Sequence, residues 1–289
     1  MSKDQLKALI AIPAVILIGY GFAVAGSNGR DEVSGLSPFV ASVVLAFGLQ
    51  WLAFIPSYIK KTEGFFDLVG SVSYVMGTAL AMGMSTSVDA RSLMLGLMVF
   101  VWAARLGYFL FTRIHKAGKD ARFDAIKTCF VRFLAAWTLQ GLWITFTAAA
   151  AWAAITSEQK EPFGIFALIG SLLWLSGFLI EIAADRQKGQ FKENPENKGK
   201  FIRSGLWSRS RHPNYFGEIV LWTGVAIIAF PVLQGWQWVC LSSPIFITIL
   251  LTRVSGIPLL EKRADDTWGG QEDYEAYKKS TPVLVPRFR

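Results

Sequence analysis

Histidine is scarce in this chain: His115 and His212 are its only two. A zinc or di-iron site draws on more ligands than that supply, so none is expected. Cysteine is equally scarce. Cys129 and Cys240 lie far apart in sequence and give neither a disulfide framework nor a metal-binding spacing. Charged residues make up only 17% of the 289 residues, against about 25% in soluble domains, while hydrophobic residues reach 53%. That balance excludes an ordinary soluble domain and places the chain in the membrane class. No G-x-G-x-x-G follows a strand and no P-loop occurs. A dinucleotide, if bound, has to lie between helices and not on a Rossmann sheet.

Long apolar runs are what the chain has in quantity. Eight can be read, at 8–26, 38–58, 65–84, 92–112, 133–154, 163–183, 216–233 and 237–252. Most reach the roughly 20 residues needed to cross about 30 Å of hydrocarbon as a helix. The last two are shorter and only Gln234-Gly235-Trp236-Gln237 separates them, so a tilted hairpin and seven spans is the alternative. The first run follows Lys3 and Lys7 and ends near Ala23-Val24-Ala25, which resembles a cleavage site. Its length exceeds the apolar core of a signal peptide and another span follows, so a retained helix is expected. The fold expected is a single all-α, multi-pass membrane bundle of seven or eight helices over residues 1–289.

Lysine and arginine alternate between the connections. Arg30, Arg91 and Lys160 stand alone in theirs. The N-terminal segment carries Lys3 and Lys7, and the next basic connection Lys60 and Lys61. Residues 113–132 hold six, Lys119 and Arg122 among them, residues 184–215 hold eight, and the segment from 253 holds seven. One side totals 25 and the other 3. The positive-inside rule puts both termini and both long basic connections in the cytoplasm. The net charge of +8 then follows from topology and attraction to anionic lipid, and no nucleic-acid partner is expected.

Ionisable residues within spans are costly and face the bundle interior. Asp67, Arg105, Glu181, Glu218 and Arg253 fall in or at the edges of the apolar runs. Asp67, Gly70, Ser71 and Tyr74 are spaced i, i+3, i+4, i+7 and share one helix face. Asp67 and Tyr74 on that face can act together as a proton donor to a carbonyl. The same pattern also suits a helix-packing face with Gly70 and Ser71 as small contacts. Trp102, Arg105 and Tyr108 read as a second such face, lining a substrate. Trp207, Trp236, Trp238 and Trp268 read as interfacial anchors.

The densest polar cluster is Gly205-Leu206-Trp207-Ser208-Arg209-Ser210-Arg211-His212-Pro213-Asn214-Tyr215-Phe216-Gly217-Glu218. Proline sets the turn or the first helical position, which starts the seventh span just after it. Arginines fork onto phosphate oxygens, and a helix N-terminus adds free N–H groups. Glu181 and Asp185, at i and i+4, face the same way at the end of the sixth run. Read alone, this stretch indicates an anionic ligand at the membrane surface. A lipid headgroup, a nucleotide and S-adenosylmethionine all satisfy it.

This stretch resembles the signature of bacterial DUF1295 membrane proteins, which belong with the steroid 5-alpha-reductases and, more distantly, the isoprenylcysteine carboxyl methyltransferases. Ala184-Asp185-Arg186-Gln187-Lys188, Trp102-Ala103-Ala104-Arg105-Leu106 and Ser255-Gly256-Ile257-Pro258-Leu259-Leu260-Glu261 also match, so the resemblance runs from about residue 45 onward. It implies NADPH-dependent reduction of an activated C=C bond in a hydrophobic, steroid-like or isoprenoid enone. The cofactor-binding half would span about 163–289 and the substrate-lining half about 38–154.

By position, Asp185, Lys192, Asn214, Glu218 and Arg253 match cofactor-binding residues, with Arg209, Arg211, His212 and Tyr215 beside them. Asp67 aligns with the catalytic glutamate of the reductases. Trp102 stands where they have the catalytic tyrosine, which leaves Tyr74 to supply the phenol. Ile257 and Glu261 replace a family histidine and tyrosine. The resemblance further implies a bacterial inner membrane, a lipid environment and a cofactor site facing the cytoplasm. A methyltransferase using S-adenosylmethionine shares the Arg-His-Pro-Asn-Tyr core, and a non-enzymatic lipid-binding or scaffold protein is the third reading.

Overall fold

The computed structural model describes residues 2–28, 35–117, 120 and 123–287. Of the basic residues counted for topology, Arg30, Lys119, Arg122 and Arg289 lie outside them. The described residues form ten α-helices: α1 (Lys3–Gly26), α2 (Pro38–Ile59), α3 (Phe66–Met84), α4 (Ala90–Ala117), α5 (Phe130–Ile155), α6 (Ile165–Glu193), α7 (Pro213–Ala229), α8 (Ser243–Ile249), α9 (Ile257–Trp268) and α10 (Glu272–Ser280). No strand occurs among the described residues. Among the described residues, eight segments are long and apolar enough to cross a membrane, the build of a multi-pass membrane protein. The seventh and eighth runs count separately, so the hairpin alternative gives way to eight candidate spans.

Local chemistry sets several boundaries. Ser2 and Gln5 form a reciprocal capping box at the start of α1. Pro38 and Pro213 each open a helix, where the missing N–H is not needed. The eighth span is composite: a 3₁₀ stretch (Gly235–Ser242), α8, a π-helical turn (Leu250–Val254), a break at Ser255-Gly256, then α9. Pro258 in the first turn of α9 fixes the restart. By contrast, α6 runs ten residues past the apolar stretch that announced it, to Glu193.

Two compact units are present: Met1–Ala167 with Ile228–Ser243, and Leu168–Ile227 with Pro244–Arg289. In the first, α5 is the central element. Every residue from Ala148 to Ile155 is buried, as befits a helix surrounded on all sides. Small residues let neighbours close on it. A Cβ at Gly77 would strike the ring of Trp152, whose indole N–H donates to Thr78 Oγ1 at 2.9 Å. Gln50 donates to Ser73 at 2.8 Å between α2 and α3. The segment Ile228–Ser243 joins this unit through Gln237, which donates to Gly26 O at 3.2 Å, and Ser243, which donates to Thr147 O at 2.6 Å.

In the second unit, α6 and α7 touch backbone to backbone. A Cβ at Gly217 would come within 2.6 Å of Gly177 O and 2.7 Å of Glu181 N. One at Gly224 would come within 2.5 Å of Gly170 O. Both helices repeat glycine every seven residues along this seam, the small-residue contact that membrane helices use. One expectation is corrected here. Trp207 is not an interfacial anchor but is buried, 3% exposed, with its indole N–H on Ala184 O at 3.0 Å. Trp268 is half-buried and donates to Gly199 O at 2.6 Å. Trp236 and Trp238 are exposed.

Candidate functional site

The glycine seam positions the polar residues of the second unit. Because α6 and α7 run antiparallel in close contact, Asp185 meets Asn214, whose side-chain amide donates to Asp185 Oδ1 at 3.2 Å. Asp185 is buried, and Glu181, one turn deeper on α6, is 3% exposed. Glu218 follows Asn214 by one turn of α7 and shares its face. Lys192 lies seven residues beyond Asp185, on the same side of α6, and is exposed.

The loop before α7 is held from two directions. Toward α6, Leu206 N donates to Gln187 Oε1 at 2.9 Å and Lys188 Nζ sits 4.4 Å over the Trp207 ring. Gly205, at φ +60, lies against that same Gln187 side chain, and a side chain there would be strained by the backbone and would displace the Gln187 amide. Toward the C-terminal segment, Arg211 N donates to Pro282 O at 2.9 Å, Ser210 Oγ to Leu284 O at 2.8 Å, and Arg287 N to Arg209 O at 3.0 Å. Tyr277 donates its hydroxyl to Trp207 O at 2.6 Å, and burial pushes its phenol up to about 12. Each residue from 209 to 212 is thereby fixed, with His212 N donating to Ser210 Oγ at 3.2 Å.

The side chains of the signature then face a partner that sequence reasoning noted only as a departure from the family pattern. Glu261 of α9 lies 2.7 Å from Arg211 Nη1 and 2.7 Å from His212 Nε2. The His212 ring stacks on Tyr215 at 5.7 Å and 10°, and Tyr215 in turn abuts Gly256, where a Cβ would come within 3.0 Å of its ring. Burial holds His212 below the usual histidine range, with Glu261 pulling the other way. Arg211 Nε and His212 Nδ1 are buried and make no hydrogen bond among the described residues. Buried polar atoms of this kind mark places that a ligand or water completes. Arg209 and Arg253 are exposed. An open groove of this unit, about 870 Å³, is lined by Arg203, Ser208, Asp273 and Tyr277, and neither Asp185 nor Asn214 is part of its lining.

The first unit holds the other predicted residues. Asp67, Gly70, Ser71 and Tyr74 do share an inward face of α3: Gly70 and Ser71 are buried, Asp67 and Tyr74 half-buried. Ser71 fits against Gly107 of α4, so the face packs as well as carrying polar groups. Tyr74 meets Trp102 edge to face at 5.1 Å, which sets the orientation of its ring. Arg105 lies 5.4 Å over Phe109. Tyr108 does not belong with Trp102: it is 74% exposed and Trp102 2%. Six residues turn a helix through 600°, which leaves the two about 120° apart.

The family model described as "Protein of unknown function (DUF1295)" matches residues 53–281. Similar curated proteins include 3-oxo-5-alpha-steroid 4-dehydrogenase 1 of Bos taurus, 31% identical over 119 residues, 41% of either chain. Steroid 5-alpha-reductase DET2 of Gossypium hirsutum is 29% identical over 129 residues, 45% of either chain. Delta(14)-sterol reductase of Arabidopsis thaliana is 24% identical over 222 residues, 71% of this chain and 58% of the relative. The chain spans about half the length of the curated relatives it matches. No solved structure matches it.

Proposed function

We propose a function from one premise: the chain belongs to the DUF1295 family. It is a membrane-embedded oxidoreductase that uses NADPH to reduce an activated C=C bond in a hydrophobic, steroid-like or isoprenoid enone. The relatives named as steroid and sterol reductases support this reading. The observation that carries it is the polar set at the start of α7: buried Asp185 bonded to Asn214, with the unsatisfied Arg211 Nε and His212 Nδ1 three and two positions before Asn214. That set suits a polar cofactor with both donors and acceptors. The charge asymmetry supports a cytoplasmic position for it, where soluble NADPH is available.

When bound, NADPH supplies the hydride. Asp185 and Asn214 hold and orient polar edges of the cofactor, with Glu218 and Tyr215 on the same helix. The exposed cations Lys192, Arg209 and Arg253 balance its phosphates. Asp67 and Tyr74 donate to the substrate carbonyl oxygen, where charge develops as the C=C bond is reduced, and a preorganised donor pair stabilises that charge. Trp102 holds Tyr74 in place, and Arg105 lines the substrate side.

Ligand titration in detergent tests the reading. NADPH, NADH and S-adenosylmethionine are added in turn while thermal unfolding is followed. A ligand at about 100 times its Kd adds about 2.7 kcal/mol of stability. Stabilisation by NADPH is expected. Stabilisation by S-adenosylmethionine alone replaces the reductase with a methyltransferase, and a response to none of the three favours a lipid-binding or scaffold role.

A further inference from the structure

Glu261 closes on the arginine and histidine of the signature, and the cofactor reading assigns it nothing. It lies one turn after Ile257 on α9. Residues at i and i+4 share a helix face, and Ile257 is buried, so Glu261 is carried inward with it. Both of its oxygens are engaged, Oε2 2.7 Å from Arg211 Nη1 and Oε1 2.7 Å from His212 Nε2. With His212 neutral and a carboxylate as acceptor, the proton sits on Nε2 and Nδ1 is bare. The next acid on the face, Asp265, is already held by the Tyr274 hydroxyl at 2.9 Å and Lys278 at 2.6 Å. It does not compete for Arg211. The Arg211 contact is close but lies off the N–H axis, since Nη1 makes no aligned hydrogen bond. The guanidinium is therefore held by charge while keeping N–H groups unspent.

We infer that Glu261 is a positioning residue of the cofactor site: it fixes the guanidinium of Arg211 and the tautomer of His212, and so presents the unspent Arg211 N–H and the bare His212 Nδ1 to the ligand. This rests on the cofactor reading above. A salt bridge with only a structural role contributes to stability and leaves ligand affinity alone. A positioning residue acts on affinity, and does so only while Arg211 is present.

The test is a double-mutant cycle on NADPH dissociation constants in detergent, using wild type, E261Q, R211Q and the double variant. Glutamine keeps an oxygen to accept from His212 and removes the charge that holds Arg211. E261Q is expected to weaken NADPH binding about tenfold in the wild-type background and less than about twofold in R211Q, a coupling of about 1.0–1.4 kcal/mol. Equal losses in both backgrounds, no loss, or tighter binding in E261Q overturn the proposal. E261D guards against a misfolded E261Q. It keeps the charge but withdraws the carboxylate by one methylene, so most of the loss should remain, and full rescue by aspartate overturns positioning. A wild-type protein that binds no NADPH overturns the cofactor reading instead.

Discussion

The substitution Gly217→Ala tests the link between helix packing and the site. Its Cβ would stand 2.6 Å from Gly177 O and 2.7 Å from Glu181 N. Both are backbone atoms that cannot swing aside. Reaching an ordinary contact of about 3.4 Å requires α6 and α7 to separate by about 0.8 Å. The Asp185–Asn214 bond, 3.2 Å across the same seam, would then stretch to about 4 Å and be lost. Overpacking costs about 1–3 kcal/mol, and stripping a donor from a buried carboxylate about 1–3 kcal/mol more. Exchanging glycine for alanine in a helix returns up to about 1 kcal/mol. Gly189, on α6, is the control, because nothing lies within 4 Å of its Cβ. G189A should be neutral or slightly stabilising, and G217A should lose roughly 1–5 kcal/mol by the same terms together with NADPH affinity. Thermal unfolding in detergent and NADPH titration measure both. If G217A matches G189A in stability and affinity, the seam does not set the site.

Further outcomes follow from other contacts. Trp207→Phe keeps most of the packing and loses one hydrogen bond, about 0.5–1.5 kcal/mol. Trp207→Ala should cost about 3–5 kcal/mol, whereas an anchor in the lipid interface would show a much smaller loss on thermal unfolding. His212 is held neutral by burial, so the unfolded chain takes up its proton first as pH falls. Stability from this residue is present above about pH 6.5 and declines below it. His212→Gln should flatten that acid limb, and an unchanged limb in a pH series of melting curves would assign it to another group. Asp67→Asn and Tyr74→Phe should each cut turnover on an enone substrate, by up to about 10²–10⁴-fold for a proton donor, with NADPH affinity unchanged. Full turnover in both removes the pair from the mechanism.

The spans were legible in the sequence because a membrane-crossing helix must be a continuous apolar run. The start of α7 was legible because Pro213 suits a first helical position. The inward face at Asp67 came from the 3.6-residue period. Failures have equally physical causes. Residues 184–193 look like loop once hydrophobicity is the criterion, yet Arg, Gln, Lys and Glu are good helix formers, and α6 simply continues to Glu193. Tryptophans were read as interfacial by composition, which cannot tell an exposed Trp236 from a Trp207 bonded to Ala184 O. Gly170, Gly177, Gly217 and Gly224 did carry a signal, a seven-residue repeat on both α6 and α7, visible only when the two runs are set side by side.

Glu261 shows why residue-by-residue comparison runs out. Set against the family pattern it is a tyrosine exchanged for an acid, which counts as a departure. Its partners stand 49 and 50 positions earlier, and no local period connects them. The contact exists because the eighth span breaks at Ser255-Gly256 and restarts at Ile257 with Pro258 in its first turn, which swings one face of α9 toward the signature. Gly256 also has to lack a side chain for Tyr215 to lie against it, and Tyr215 stacks on His212. The break, the glycine, the stack and the carboxylate are thus one device, and replacing Gly256 should disturb Arg211 and His212 as surely as replacing Glu261 does.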